Sequence, residues 1–152
     1  MAHLARMSAL LLLVACVAPL RASKPDDHLL DEQSIAALQA RISQAPPREQ
    51  CFLYAQLVHQ MTELSLRQYS AGEVDKATGL LHKVQEFAKK IHLTVNDNDK
   101  RLKNAELLLS HTAFRLKSML HSSSYEDRPL FEQTLAQVDQ ADSATLKQVF
   151  RH

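Results

Sequence analysis

The sequence of 152 residues has little glycine, few aromatic side chains and almost no cysteine. It contains two glycines and no tryptophan, and 5% of its residues are aromatic. Two glycines are too few for the tight turns of a β-sheet protein, or for the glycine-rich loops that bind phosphates. Residues that favour helices, such as Leu, Ala, Gln, Glu and Lys, are abundant instead. The composition therefore predicts an all-α fold and argues against nucleotide-binding motifs.

Long apolar runs are also missing, since none reaches the roughly 18 residues of a membrane-spanning helix. Residues 7–20 carry no charge and lie between Arg6 and Arg21, a pattern typical of a secretory signal peptide. We place the cleavage after Ala22, which leaves residues 23–152 as one domain. In the alternatives, a bacterial lipoprotein signal ends before a lipidated Cys16, or the segment is retained as an anchor. Each alternative predicts an exported chain, periplasmic, extracellular or attached to the cell envelope, with no nucleic-acid partner.

Cysteine is limited to Cys16, inside the predicted signal, and Cys51. A single cysteine in the mature domain cannot form an internal disulfide. Because Phe52 and Leu53 follow it, we expect Cys51 to be buried as a small apolar side chain. The alternative is an exposed thiol that is reactive or that forms an intermolecular disulfide.

Apolar residues recur at intervals of three and four along five segments, which is the spacing of amphipathic helices. The pattern predicts helices over about 28–44, 48–69, 73–94 and 99–121, and a fifth segment from Pro129 that forms one kinked helix or two. The third and fourth helices have consecutive seams of period 3.5 joined by a short loop, so we predict that they pair antiparallel. Apart from Thr112, these seams contain no polar side chain. The predicted architecture is an up-and-down antiparallel helical bundle of four to five helices.

One hairpin within this bundle has a familiar outline. The segment from Tyr54 to Lys90, a helix, a turn containing Gly72 and a second helix with Ala77 near its start, resembles a tetratricopeptide hairpin. The tryptophan and proline marks of that family are absent from it. We therefore interpret the segment as an ordinary helical hairpin and assign it no peptide-binding residues.

Charge is distributed unevenly along the chain. Residues 76–117 carry nine lysines or arginines and four acids, whereas the segments on both sides have more acids than bases. The basic residues at the loop between the third and fourth helices are predicted to lie together at one end of the bundle; they are Lys89, Lys90, Lys100, Arg101 and Lys103. This basic end is a candidate contact for a protein partner or an anionic envelope surface.

Histidine and glutamate pairs offer an alternative site. His59 with Glu63, and His82 with Glu86, are spaced one helical turn apart, so the four side chains are candidate ligands of one surface metal ion. The sequence contains no His-Glu-x-x-His motif, no nucleophile motif of the Gly-x-Ser-x-Gly type and no haem-attachment motif. We therefore predict no catalytic residues and no cofactor.

The sequence thus predicts an exported, non-catalytic helical protein that acts as a protein–protein interaction or cell-envelope module. A metal- or small-ligand-binding helical bundle is the alternative function. The pattern of residues does not specify a partner or an oligomeric state.

Overall fold

A computed structural model describes residues 27–151. The signal peptide predicted for residues 1–22, and Cys16 within it, lie outside the described residues. The described part contains five α-helices and no strand, as the composition predicted. The helices are α1 (Asp27–Gln44), α2 (Pro47–Ser70), α3 (Val74–Thr94), α4 (Leu102–Ser122) and α5 (Arg128–Val149). Within residues 27–151, no helix has the length and apolar character needed to cross a membrane.

The helix boundaries follow the prolines and the glycine that interrupt the pattern. Pro47 occupies the start of α2, where its fixed φ fits and its missing N–H costs nothing. Gly72 turns the chain between α2 and α3 with a φ of +82°, a conformation that side chains disfavour. The last segment forms one helix, α5, rather than two.

Four helices, α2 to α5, form a bundle, and α1 packs on its outside against α2. Going around the bundle, α2 contacts α3, α3 contacts α5, α5 contacts α4, and α4 contacts α2. Each hairpin, α2–α3 and α4–α5, is antiparallel. Contacts between the hairpins, such as Glu63 with Arg115 and Gln85 with Thr134, show that α2 and α4 run parallel, as do α3 and α5. We call the end where α2 and α4 begin the first end, and the end where they finish the second end.

The predicted antiparallel pairing of the third and fourth helices is wrong. Among the described residues, α3 and α4 do not contact each other, because they occupy diagonal corners of the bundle. The connecting loop crosses the start of α2: the backbone N–H of Lys100 donates to the carbonyl of Arg48 at 2.7 Å, and Arg48 Nε donates to the carbonyl of Asn98 at 2.9 Å. These bonds hold the loop against the start of α2, so that α4 packs on the side of α2 away from α3. They also delay its start to Leu102, three residues later than predicted.

The apolar spacing found in the sequence marks the core of the bundle. One continuous cluster of buried side chains includes Leu57, Met61, Leu64, Leu81, Val84, Ile91, Leu109, Leu116, Phe131 and Val138. In α5 the buried positions are Phe131, Thr134, Val138, Ala141 and Thr145, so this helix presents two threonines to the core that the apolar pattern did not reveal.

Hydroxyl groups in the interior donate to backbone carbonyls. Thr62, Thr112, Thr134 and Thr145 each donate to the carbonyl four residues earlier, at 2.7–2.8 Å. Ser65 on α2 donates to the carbonyl of Ala77 on α3 at 3.1 Å. Among the buried residues of α3 and α4, Thr112 is the one polar side chain, as predicted, and the other hydroxyls of this group belong to α2 and α5. These threonine hydroxyls are committed to backbone acceptors.

Candidate functional site

The five basic residues predicted to cluster do lie at or near the first end, but they do not form one patch. Lys89 and Lys90 belong to α3, whereas Lys100, Arg101 and Lys103 lie at the start of α4, diagonally across the bundle. Lys90 Nζ lies 5.0 Å from the ring centroid of Phe87 and 5.9 Å from that of Tyr54. Lys89 lines a groove between α3 and α5 instead.

Most of the cations at the start of α4 have partners within the chain. Lys100 Nζ donates to Glu49 at 2.9 Å, and this contact lowers the pKa of Glu49 below its ordinary value. The guanidinium carbon of Arg101 lies 3.7 Å from the ring centroid of Phe52, and the Arg101 backbone has a φ of 60°. This left-handed conformation is uncommon for a residue with a side chain, and the guanidinium of Arg101 stacks on Phe52. Lys103 is exposed and makes no ion pair within the described residues.

The predicted metal ligands separate into two places. His59 and Glu63 lie on the side of α2 that faces α4, whereas His82 and Glu86 line the groove between α3 and α5. The four residues therefore do not form one site, because α2 and α3 direct these side chains to different neighbouring helices. Among the described residues, the structure brings His59 and Glu63 together with a third residue, His111 of α4.

The groove between α2 and α4 holds these three side chains in a network of contacts. His59 Nδ1 lies 3.1 Å from the hydroxyl of Thr112, and its ring is 5.2 Å from that of His111. Both oxygens of Glu63 accept from Arg115, at 2.9 and 3.2 Å. Burial is the main cause of a pKa for His59 below its ordinary value, because it disfavours the charged imidazolium. Glu63 raises the pKa of Arg115 by hydrogen bonding to it.

The outward face of α4 is a second surface that the sequence analysis missed. Lys103, Leu107, His111, Phe114, Ser118 and His121 recur at intervals of three and four, and all of them are exposed. We call this row the outer stripe of α4. Leu107 is 59% exposed and Phe114 68% exposed, and the row contains no acidic residue. The outer stripe has the same spacing of three and four residues as the buried seam, so the sequence contains a signal for it on the exposed side of the helix.

Carboxyl groups of α5 face α4 on another side of the bundle. Burial, together with the nearby charges of Glu106 and Asp139, raises the pKa of Asp142 to about 6. The Oδ1 atom of Asp142 is buried and has no hydrogen-bond partner within the described residues. The ionised form of Asp142 is therefore disfavoured by the fold.

Replacing Asp142 with Asn should raise the free energy of unfolding near neutral pH. We expect about 1 kcal/mol, since partial exposure screens part of a pKa difference of about two units. The Asp142 carboxyl has a higher pKa in the folded chain than in the unfolded chain, so its ionisation lowers the free energy of unfolding. This loss of stability grows as the pH rises from about 4 to about 7. Denaturant unfolding of both proteins at about pH 4.5 and pH 7.5 measures the difference.

Glu132→Gln is the matched control, because Glu132 is an exposed carboxylate on the same helix. Its effect should not grow between the two pH values. An Asp142→Asn variant whose gain in stability is the same at both pH values would contradict the assignment of the penalty to this carboxyl.

Comparisons of the chain with protein-family models, curated proteins and solved structures give no match.

Proposed function

We propose that this chain is an exported, non-catalytic helical-bundle protein that binds a partner protein through the outer stripe of α4. The exposure of Leu107 and Phe114 carries the proposal. These two large apolar side chains lie seven residues apart on one face of a helix whose opposite face is buried in the bundle. Apolar side chains exposed together on one face, with polar residues around them, mark interaction surfaces.

The charges along the stripe define the chemistry of the partner. Lys103 supplies a cation at one end of the stripe, and His111 and His121 supply imidazoles, without an acid among them. Such a row is complementary to an amphipathic helix that carries apolar side chains on one edge and carboxylates beside them. We therefore propose an acidic helical segment as the partner. Of the five residues of the predicted basic end, Lys103 is the one that belongs to this surface.

Export and the lack of catalysis rest on separate observations. The uncharged residues 7–20, which follow Arg6, support secretion. The non-catalytic part is supported by the absence of nucleophile and phosphate-binding motifs from the sequence. It is supported also by the buried threonine hydroxyls, which donate to backbone carbonyls.

A pair of designed peptides tests the proposal. The first is an amphipathic helix with leucines on one face and glutamates on the other, and the second replaces each glutamate with lysine. We expect the glutamate peptide to bind more tightly, as measured by fluorescence anisotropy. The double variant Leu107→Gln, Phe114→Gln should weaken that binding at least about tenfold, since apolar anchors at an interface each contribute on the order of 1 kcal/mol or more.

Leu93→Gln provides the control, because Leu93 of α3 is 68% exposed, as Phe114 is, but lies outside the stripe. This variant should bind the glutamate peptide as the unmodified chain does. Equal binding of the two peptides, or equal weakening by Leu93→Gln, would overturn the proposal. So would binding to vesicles of anionic lipid in the absence of any binding to the peptide, because the partner would then be a membrane surface.

A further inference from the structure

We propose that His59, Glu63 and His111 bind one Zn²⁺ ion between α2 and α4. The candidate ligand atoms of the three side chains all lie within 4.8 Å of one another. His59 and Glu63 are one turn apart on α2, and His111 comes from the parallel neighbour α4. The site thus depends on the packing of two helices, and the inference does not depend on the proposed partner binding.

The separation of the three ligands is close to what zinc requires. Zn²⁺ binds nitrogen and oxygen at about 2.0–2.2 Å with tetrahedral geometry, which places its ligand atoms roughly 3.4 Å apart. Atoms now up to 4.8 Å apart must approach by a little over about 1 Å. His111 is exposed and can rotate without disturbing the core, so rotation of its side chain can supply much of this movement.

Thr112 prepares His59 to act as a ligand. Its hydroxyl donates to the carbonyl of Leu108 at 2.7 Å, so toward His59 Nδ1 it serves as the acceptor. His59 therefore carries its proton on Nδ1 and has a lone pair on Nε2. Metal-binding histidines usually donate their second ring nitrogen to such a partner, which fixes both the tautomer and the orientation of the ring. Thr112 is a positioning residue for the site.

The hydrogen bonds from Arg115 to Glu63 do not exclude a metal. A carboxylate has two oxygens and about four lone-pair positions, so one oxygen of Glu63 can bind zinc while the other accepts from Arg115. Two imidazoles and one carboxylate form a ligand set that zinc uses together with a fourth, open position for water. This chemistry favours Zn²⁺ over Ca²⁺ and Mg²⁺, which select oxygen ligands.

Calorimetric titration of the untagged, chelator-treated protein with ZnCl₂ tests the site. We expect one zinc ion per chain, with binding that weakens as the pH falls, because protons compete with the metal for its ligands. His59→Ala, Glu63→Gln and His111→Ala should each abolish the stoichiometric response. Thr112→Val keeps the shape of the side chain and should weaken binding about 10- to 100-fold.

His82→Ala, Glu86→Gln is the matched control, because this pair has the same spacing on α3 but no third ligand within residues 27–151. It should leave the titration unchanged. Circular dichroism and thermal unfolding of each variant show whether the bundle is intact, and the exposed His111 can be replaced without loss of core packing. The proposal is overturned if the unmodified chain binds no stoichiometric zinc, if the His82 and Glu86 variant loses binding, or if folded His111→Ala retains it.

Discussion

Phe131→Ala is expected to lower the free energy of unfolding by about 3–5 kcal/mol. The Phe131 side chain is 1% exposed, and it is the largest of the fully buried side chains. Its ring also meets that of Tyr69 edge to face, with centroids 5.1 Å apart, at the second end of the bundle. The alanine variant loses the transfer free energy of the ring and leaves a cavity between α2 and α5. Denaturant unfolding followed by circular dichroism measures the change.

The same chain offers the control for this experiment. Phe114→Ala removes an identical side chain from α4, where it is 68% exposed, so its effect should stay within about 0.5 kcal/mol. Comparable losses for the two variants would contradict the assignment of Phe131 to the core and of Phe114 to the surface.

Cys51 should react with iodoacetamide at least about a thousandfold more slowly in the folded chain than in the unfolded chain. Burial, together with the nearby charge of Asp99, raises the pKa of its thiol from 9.0 to about 12. Since the thiolate is the reactive form, three pKa units reduce its concentration near neutral pH by about 10³. The side chain is also 4% exposed, which restricts the approach of the reagent. The expectation that Cys51 is buried is confirmed, and among residues 27–151 it is a free thiol.

Timed alkylation followed by peptide mass mapping measures this rate for Cys51 separately from any at Cys16. Phe131→Ala should accelerate the reaction, although Phe131 lies near the second end and Cys51 near the first, because a single cooperative unit exposes both on unfolding. Rapid alkylation of the folded, unmodified chain would show that Cys51 is accessible. An unchanged rate in a destabilised Phe131→Ala variant would show that the two ends unfold independently.

Much of this fold could be predicted from the spacing of apolar residues. In α3 the buried positions from Ala77 to Ile91 follow the predicted seam, because a period of 3.5 with polar residues between its members has one helical solution. The same method missed Thr134 and Thr145 in α5, since a threonine that bonds to its own helix is buried without an apolar signature. The spacing of apolar residues also does not predict which helices pair, because the seam of a helix does not identify the neighbouring helix that the seam contacts.

That limit explains the outcome for the candidate sites. His59 and Glu63 could be paired from their spacing alone, but the third member, His111, follows from the parallel contact of α2 with α4. Of the two loop bonds on which this contact depends, the one from Lys100 to Arg48 joins backbone groups that every sequence possesses, and the other joins the Arg48 side chain to the backbone carbonyl of Asn98. The charge of Lys103 marks it in the sequence. Leu107 and Phe114 were not predicted, because they lie outside the apolar seam that forms the buried side of the helix.

The diagonal connection between α3 and α4 also determines how the chain can assemble during folding. The contacts within the hairpins α2–α3 and α4–α5 join residues close in sequence, so their loop-closure entropy is small and they can form early. The parallel contacts of α2 with α4 and of α3 with α5 join distant residues and require both hairpins to be present. We therefore expect docking of two preformed hairpins to limit the folding rate. Shortening the loop that crosses the start of α2 should slow this docking and leave the formation of each hairpin unchanged, because the loop lies outside both hairpins.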